Sequence, residues 1–193
     1  MIRNFTLNMI IMLSITGCVD KNVLDDVSIE SGMGYDIIDR KIIGTAVVPN
    51  YLPDKSVKNV NYTGEATENH EIFVEMQRQS AAPLVTGSLE VVLFGEKMAQ
   101  KGIIDIVDIL QRDATIGERL YLGVVDGTAN DILKQDLGIS GTATHISNLI
   151  EHNIESYDLP KSNLHLFLYD FFQQGKDPYL PRIKKINPKK DYG

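Results

Sequence analysis

The feature that most constrains the fold is a short, almost wholly apolar segment bounded by glycines. Between Gly87 and Gly95 the sequence reads SLEVVLF, and Leu89 to Phe94 form a nearly continuous apolar run. A run of this length between turn residues is typical of a strand that is buried on both faces. The segment therefore predicts an inner strand of a sheet.

Strand and helix patterns alternate after this segment. Residues 96–100 predict a short helix that ends at Gly102, and a second helix follows with its apolar face formed by Ile103, Ile104, Val107 and Leu110. RLYLGVV, from Arg119, predicts the next strand, and Asp126-Gly127 predicts a turn into the helix TANDILKQ. Alternation of this kind predicts a sheet that is at least partly parallel.

The segment before the inner strand has a different pattern. Residues 23–48 predict two strands joined near Asp39-Arg40, and Gly32 and Gly34 predict a turn between strands. The prolines of PNYLPDKSVKN, from Pro49, predict a loop. A short strand is expected over 60–64, and a helix over 68–80 with Thr67 as its N-cap.

The C-terminal part predicts two helices, over 142–153 and 162–174. Ser162 is the expected cap of the second helix, whose expected buried side consists of Leu164, Phe167, Leu168, Phe171 and Phe172. With 193 residues and 43% hydrophobic content, the chain is sufficient for one packed domain, predicted over 23–183 and followed by a basic tail over 184–193. The predicted fold class is α+β (mixed α/β), with a central mixed sheet flanked by helices.

The N-terminus has the three-part plan of a secretory signal peptide, predicted over residues 1–17. A positive start with Arg3 precedes an apolar stretch over 5–15, which is followed by the small pair Thr16 and Gly17. The stretch is shorter than the roughly 20 residues that a membrane-spanning helix needs. It therefore predicts a processed leader rather than a permanent span.

Cys18, the only cysteine, has four possible roles: core thiol, nucleophile, metal ligand or attachment point. A single thiol excludes an internal disulfide and a cysteine-rich zinc site. Ile15, Thr16 and Gly17, which precede it, resemble a bacterial lipobox, with an apolar residue three positions before the cysteine. That resemblance implies that Cys18 is lipidated and becomes the mature N-terminus, with residues 18–22 as a tether. Its role would then be membrane anchorage.

Charge and motifs exclude several classes of function. A formal charge of −7 disfavours a nucleic-acid partner, because affinity for phosphates depends on clustered Lys and Arg. No GxSxG, HExxH or P-loop motif is present. We therefore predict no enzymatic activity, no catalytic residue and no cofactor.

Three remaining patterns have residue types that occur in binding sites. His145 and His152 are two turns apart on one predicted helix, roughly 10.5 Å along its axis, which is too far to share one metal ion. DGTAND, over 126–131, lacks the ligand spacing and final Glu of a calcium loop and predicts a turn with a helix cap. Asp25-Asp26 and the pair Asp105 and Asp108 can all lie on solvated faces. We predict no metal site.

Three stretches resemble the N-terminal domain of the Ger(x)C family, the lipoprotein C subunits of bacterial spore nutrient germinant receptors. They are TGCVDKNVLDDVSIESGMGYD, the block GSLEVVLFGEKMAQKGIIDIVDILQRD with RLYLGVVDGTANDIL, and LYDFFQQGKDPYLPRI. They occur in the family's order across most of residues 15–183. Three features differ from the family: Val19 replaces the usual Trp after the cysteine, the basic residue common just before the central strand is absent in TGSLEVV, and family members continue through two further domains.

The resemblance implies a non-enzymatic role in nutrient-induced germination. The implied partners are the integral-membrane A and B receptor subunits and the membrane itself, reached through a palmitate-type lipid anchor on Cys18. The implied location is the outer face of the cell membrane, which is the spore inner membrane in dormant spores. Two alternatives stay open: an extracellular lipoprotein that binds a small ligand, and a truncated paralogue without receptor activity.

Overall fold

A computed structural model describes residues 27–137 and 140–185. The strands are β1 (Ser28–Ile29), β2 (Gly32–Ile38), β3 (Lys41–Tyr51), β4 (Val57–Ala66), β5 (Leu84–Val85), β6 (Val91–Gly95), β7 (Tyr121–Val125) and β8 (Arg182–Ile183). A 3-10 helix (Asn69–Glu71) precedes α1 (Ile72–Gln77), which is followed by α2 (Glu96–Lys101), α3 (Ile104–Arg112), α4 (Ala129–Leu133), α5 (Thr142–Glu155) and α6 (Leu164–Phe172).

The centre of the fold is a six-stranded mixed sheet in the order β4-β3-β2-β6-β7-β8. Neighbouring strands are antiparallel from β4 to β2 and parallel from β2 to β8. β1 and β5 form a separate parallel pair. The predicted class, α+β with a mixed sheet flanked by helices, is confirmed.

The inner strand β6 has a core on each of its two faces. Val92 and Phe94 pack into one core with side chains from α1, α2, α3 and α6. Val91 and Leu93 pack into the other with α4 and α5. All five residues of β6 are buried, which confirms the two-sided burial predicted from the sequence.

The predicted turn at Asp39-Arg40 is present as a two-residue hairpin turn. Ile38 pairs with Lys41 across it, and both turn residues have left-handed backbones, with φ of 49° and 68°. Positive φ at both central positions is the geometry that matches the twist of the flanking strands.

The predicted loop from Pro49 is wrong in extent. β3 continues through Pro49 to Tyr51 and pairs with β4, which begins at Val57 rather than at residue 60. Beyond Val47, β3 pairs only with β4 among the described residues, because its pairing with β2 ends where Val47 pairs with Gly32. Proline has no backbone N–H group to donate to a neighbouring strand. It is therefore tolerated in this part of β3, which has a paired strand on one side only.

The turn predicted at Gly32 and Gly34 is also wrong, since both glycines lie inside β2. A Cβ at Gly32 would lie 2.7 Å from Cβ of Ala143 in α5, and one at Gly34 would lie 2.7 Å from Cδ1 of Leu133 in α4. The two glycines are therefore needed because both helices approach the sheet closely.

Two predicted helix caps are wrong. Instead of a helix over 68–80 capped by Thr67, the chain forms the 3-10 helix and the short α1, and neither has a side-chain cap. α6 is capped by Asn163, whose side-chain oxygen accepts from the backbone N–H of Leu166 at 2.8 Å, and not by Ser162. Asn and Ser are nearly equally favourable as N-cap residues, so residue type alone did not show which of the two adjacent positions caps α6.

Candidate functional site

A small cavity lies on the side of the sheet covered by α1 and α3, between β2, the 3-10 helix and α3. Its volume is about 200 Å³. Most of its wall is apolar and comes from Met33, Ile72, Phe73, Ile106, Leu110 and Ile116. A concave apolar site with a few polar groups is the usual form of a small-molecule site.

The polar part of the wall includes two hydrogen-bond acceptors, the carboxylate of Asp113 and the side-chain oxygen of Asn69. Asp113 accepts from Thr86 Oγ1 at 2.5 Å and from the backbone N–H of Thr115 at 2.9 Å. Partial burial alone would raise the pKa of Asp113, but the hydrogen bonds from Thr115 and Thr86 hold it below its ordinary value. Oδ1 of Asn69 is buried and has no hydrogen-bond partner among the described residues. Asp113 therefore contributes a negative charge to the wall, and Asn69 contributes a hydrogen-bond acceptor.

Glu30, which connects β1 to β2, is fully buried close to these groups. Its backbone N–H donates to Val85, but neither of its carboxyl oxygens has a partner among the described residues. Burial, and secondarily the charge of Asp113, raises the pKa of Glu30 to about 8. Burial and then Glu30 likewise raise the pKa of Tyr35, which lines the cavity. Glu30 is therefore largely protonated at neutral pH.

A larger and more open cavity, of about 430 Å³, lies between β1 and the far ends of β3 and β4. Glu30 also forms part of its wall, together with Glu90. Burial raises the pKa of Glu90, although its hydrogen bond with Thr144 opposes the shift. Glu30 thus contributes to the wall of this cavity, and its carboxyl group interacts electrostatically with Asp113 in the wall of the smaller one.

A second buried carboxylate, Asp36 near the end of β2, holds the start of α4. Its two oxygens accept from the backbone N–H groups of Ala129 at 2.7 Å and Asn130 at 2.9 Å. Burial raises the pKa of Asp36, and these two hydrogen bonds oppose the shift. A Cβ at Gly95 would lie 2.0 Å from Oδ1 of Asp36. Since both oxygens are already bound, we interpret Asp36 as a structural group.

An exposed aromatic surface extends along α6. Phe167 is buried as predicted, but Phe171 and Phe172 are 43% and 71% exposed, so their predicted burial is wrong. Tyr169 is exposed beside them, and Nζ of Lys176 lies 5.5 Å from the centre of its ring. Apolar side chains occupy more of the helix surface than packs against the core, so some of them remain exposed to solvent.

The sites predicted from the sequence have different outcomes. Cys18, with Ile15, Thr16 and Gly17, lies outside the described residues, and so does Asp25-Asp26. His145 and His152 are both exposed on α5. In the segment 126–131, Thr128 caps α4 by accepting from the backbone N–H of Asp131, which confirms the turn and helix cap.

Within residues 27–137 and 140–185, no cluster of three or more His, Cys, Asp or Glu side chains is placed to hold a metal ion. In the same part of the chain, no helix combines the length and apolar character that crossing a membrane requires.

No motif in the sequence indicated the buried acids Glu30 and Asp36 or the partly buried Asp113. Asp36 had a detectable signal, because it is a lone charged residue among the apolar neighbours of a predicted strand. Glu30 and Asp113 lie 83 positions apart in ordinary polar sequence. Only the tertiary fold brings them close enough for their charges to interact.

The chain matches a family model described as the spore germination protein N-terminal domain, over residues 20–185. It therefore belongs to this family, and the resemblance to the Ger(x)C N-terminal domain is confirmed. Membership associates the protein with spore germination.

Among curated proteins, the spore germination protein GerQC of Bacillus cereus is 26% identical to the chain over 185 residues. The alignment covers 95% of this chain and 52% of GerQC. The chain thus spans about half the length of this curated relative. No solved structure matches the chain.

Proposed function

We propose that the protein is a non-enzymatic, membrane-anchored lipoprotein subunit of a spore nutrient germinant receptor. In this role it supports nutrient-induced germination together with integral-membrane A and B subunits, on the outer face of the spore inner membrane. The observation that carries the proposal is the family match over residues 20–185, which begins directly after the lipobox-like sequence at Ile15 to Cys18.

The physical basis of the anchor is the burial of acyl chains in the bilayer. Each buried CH₂ contributes about 0.8 kcal/mol, and two chains hold a protein durably where one is marginal. Loss of residues 1–17 removes Arg3, so 18 basic residues remain against 26 acidic ones and the formal charge becomes −8. This net charge gives the domain no overall attraction to an anionic leaflet, so in this proposal the lipid supplies the attachment.

Anchoring also explains how a small domain could meet membrane partners. A tethered domain is confined to a thin layer beside the bilayer, and its effective concentration toward membrane proteins rises without any new contact.

Metabolic labelling with a palmitate analogue tests the anchor. We expect labelling of the wild-type chain and of Ser14→Ala, a matched change in the leader, but none of Cys18→Ala. The wild-type protein should partition into the membrane fraction. Equal labelling of Cys18→Ala and wild type would refute lipidation at this residue.

Affinity purification from dormant spores tests the partners. A tagged wild-type chain should recover integral-membrane A and B subunits, and Cys18→Ala should recover much less of both. Recovery of lipidated protein with neither subunit would contradict the receptor role while leaving the anchor intact.

A further inference from the structure

We propose that the cavity between β2, the 3-10 helix and α3 binds a small primary ammonium compound with an apolar body. The proposal goes beyond the germination role and depends only on the size, polar groups and charge of the cavity. It does not depend on the receptor partners proposed above.

The size of the cavity limits the ligand. A dry apolar cavity of about 150 Å³ is large enough to bind benzene. This cavity, at about 200 Å³, therefore suits a molecule of roughly six to nine non-hydrogen atoms. Its apolar wall can surround an aliphatic or aromatic body of this size, with Phe73 and Leu110 among the contacts.

The polar groups in the wall determine which end group the ligand carries. Oδ1 of Asn69 is buried without a partner, so it is an acceptor for which the described residues supply no donor. The carboxylate of Asp113 accepts two hydrogen bonds from Thr115 and one from Thr86, so about one of the roughly four acceptor sites of a carboxylate is left. A ligand end group that donates to Asp113 and to Oδ1 of Asn69 fits these two acceptors.

Charge favours a cation over a neutral donor. Asp113 is an acid in the wall, and no lysine or arginine occurs among the described residues that form it. A hydrogen bond between an ammonium group and a carboxylate is roughly twice as strong as one between neutral groups. A ligand with a carboxylate would instead be repelled by Asp113.

The cavity has an accessible rim. His70 is exposed and Ile109 is 45% exposed, and both line the cavity, whereas Met33 and Ile106 at its base are buried. This side of the cavity is therefore reachable from solvent. A larger side chain at position 109 can narrow it without replacing a buried residue.

The test compares three probes of similar size at pH 7.5: benzylamine, benzyl alcohol and benzoate. Their binding to the purified full chain is measured by ligand-observed NMR titration. We expect saturable binding of benzylamine, with a dissociation constant at least tenfold lower than that of benzyl alcohol, and no saturable binding of benzoate.

Variants assign the binding to this cavity. Asp113→Asn should abolish the tenfold preference for benzylamine, whereas Asp108→Asn, a matched change in α3 outside the cavity, should preserve it. Ile109→Trp should weaken benzylamine binding at least tenfold by filling the rim, and it remains decisive if Asp113→Asn does not fold. The proposal is overturned by equal affinity for benzylamine and benzyl alcohol, by no saturable binding, or by unchanged binding to Ile109→Trp.

Discussion

Glu30→Gln should change the pH dependence of stability more than any other single substitution of a glutamate in the described residues. The carboxyl group of Glu30 has a pKa of about 8 in the folded protein, against an ordinary value of 4.5. Between these values the folded state holds one proton that the unfolded state has released. The free energy of unfolding must therefore fall as the pH rises through this window.

The size of the effect follows from the pKa difference. One pKa unit corresponds to about 1.4 kcal/mol, so the wild-type protein should lose roughly 5 kcal/mol between about pH 4.5 and pH 8 because of Glu30 alone. Below pH 4.5 the carboxyl group is protonated in both states, and its stabilising contribution is fully present. Glutamine has nearly the same shape and is neutral throughout, so Glu30→Gln should lack this slope.

Urea unfolding at pH 5, 6, 7 and 8 measures the difference. The chain has no tryptophan, so far-ultraviolet circular dichroism or tyrosine fluorescence is the suitable signal. Subtracting the wild-type curve from that of Glu30→Gln cancels contributions from Asp36 and Glu90, whose pKa values are also raised. The lowered pKa of Asp113 acts at lower pH, outside this window.

The expected result is a stability difference that grows in favour of Glu30→Gln as the pH rises. Glu118→Gln, at an exposed glutamate, is the matched control and should follow the wild type at every pH. Parallel curves for wild type and Glu30→Gln from pH 5 to pH 8 would show that Glu30 is not held protonated, and the reasoning would fail.

Three further predictions concern packing and caps, and each is measured by urea unfolding. Gly95→Ala should destabilise the protein by about 2–4 kcal/mol because its Cβ displaces the buried carboxylate that caps α4, while Gly87→Ala, with open space around it, should change little. Phe167→Ala should cost about 3–5 kcal/mol, and Phe172→Ala, on the exposed part of α6, less than about 1 kcal/mol; equal costs would contradict the assigned burial. Asn163→Ala should cost about 1 kcal/mol through loss of the α6 cap, and an unchanged midpoint would refute that cap.

The sequence determined those parts of the fold whose signals are local. The apolar run of β6, the two-residue turn at Asp39-Arg40 and the glycine that ends α2 each have a pattern that depends on a few adjacent residues. Hydrophobic periodicity and turn chemistry act over this range, and the predicted α+β class followed from them.

Only the tertiary structure decided features that depend on residues distant in the chain. Gly32 and Gly34 predicted a turn, but both lie in β2. Glycine is needed at these positions because a Cβ would collide with side chains of α5 and α4. The aromatic periodicity of α6 predicted burial, but the helix has a core partner on one side only, so Phe172 stays exposed.

The candidate binding site shows the same limit most clearly. Cys18 and the residues before it form a contiguous motif, so the sequence alone could predict an anchor there. Glu30 and Asp113 have no motif, because their properties arise when the fold buries Glu30 and brings its charge near the partly buried Asp113. Burial of charge is a property of the packed chain, and for that reason a perturbed pKa and the cavity beside it become visible only in three dimensions.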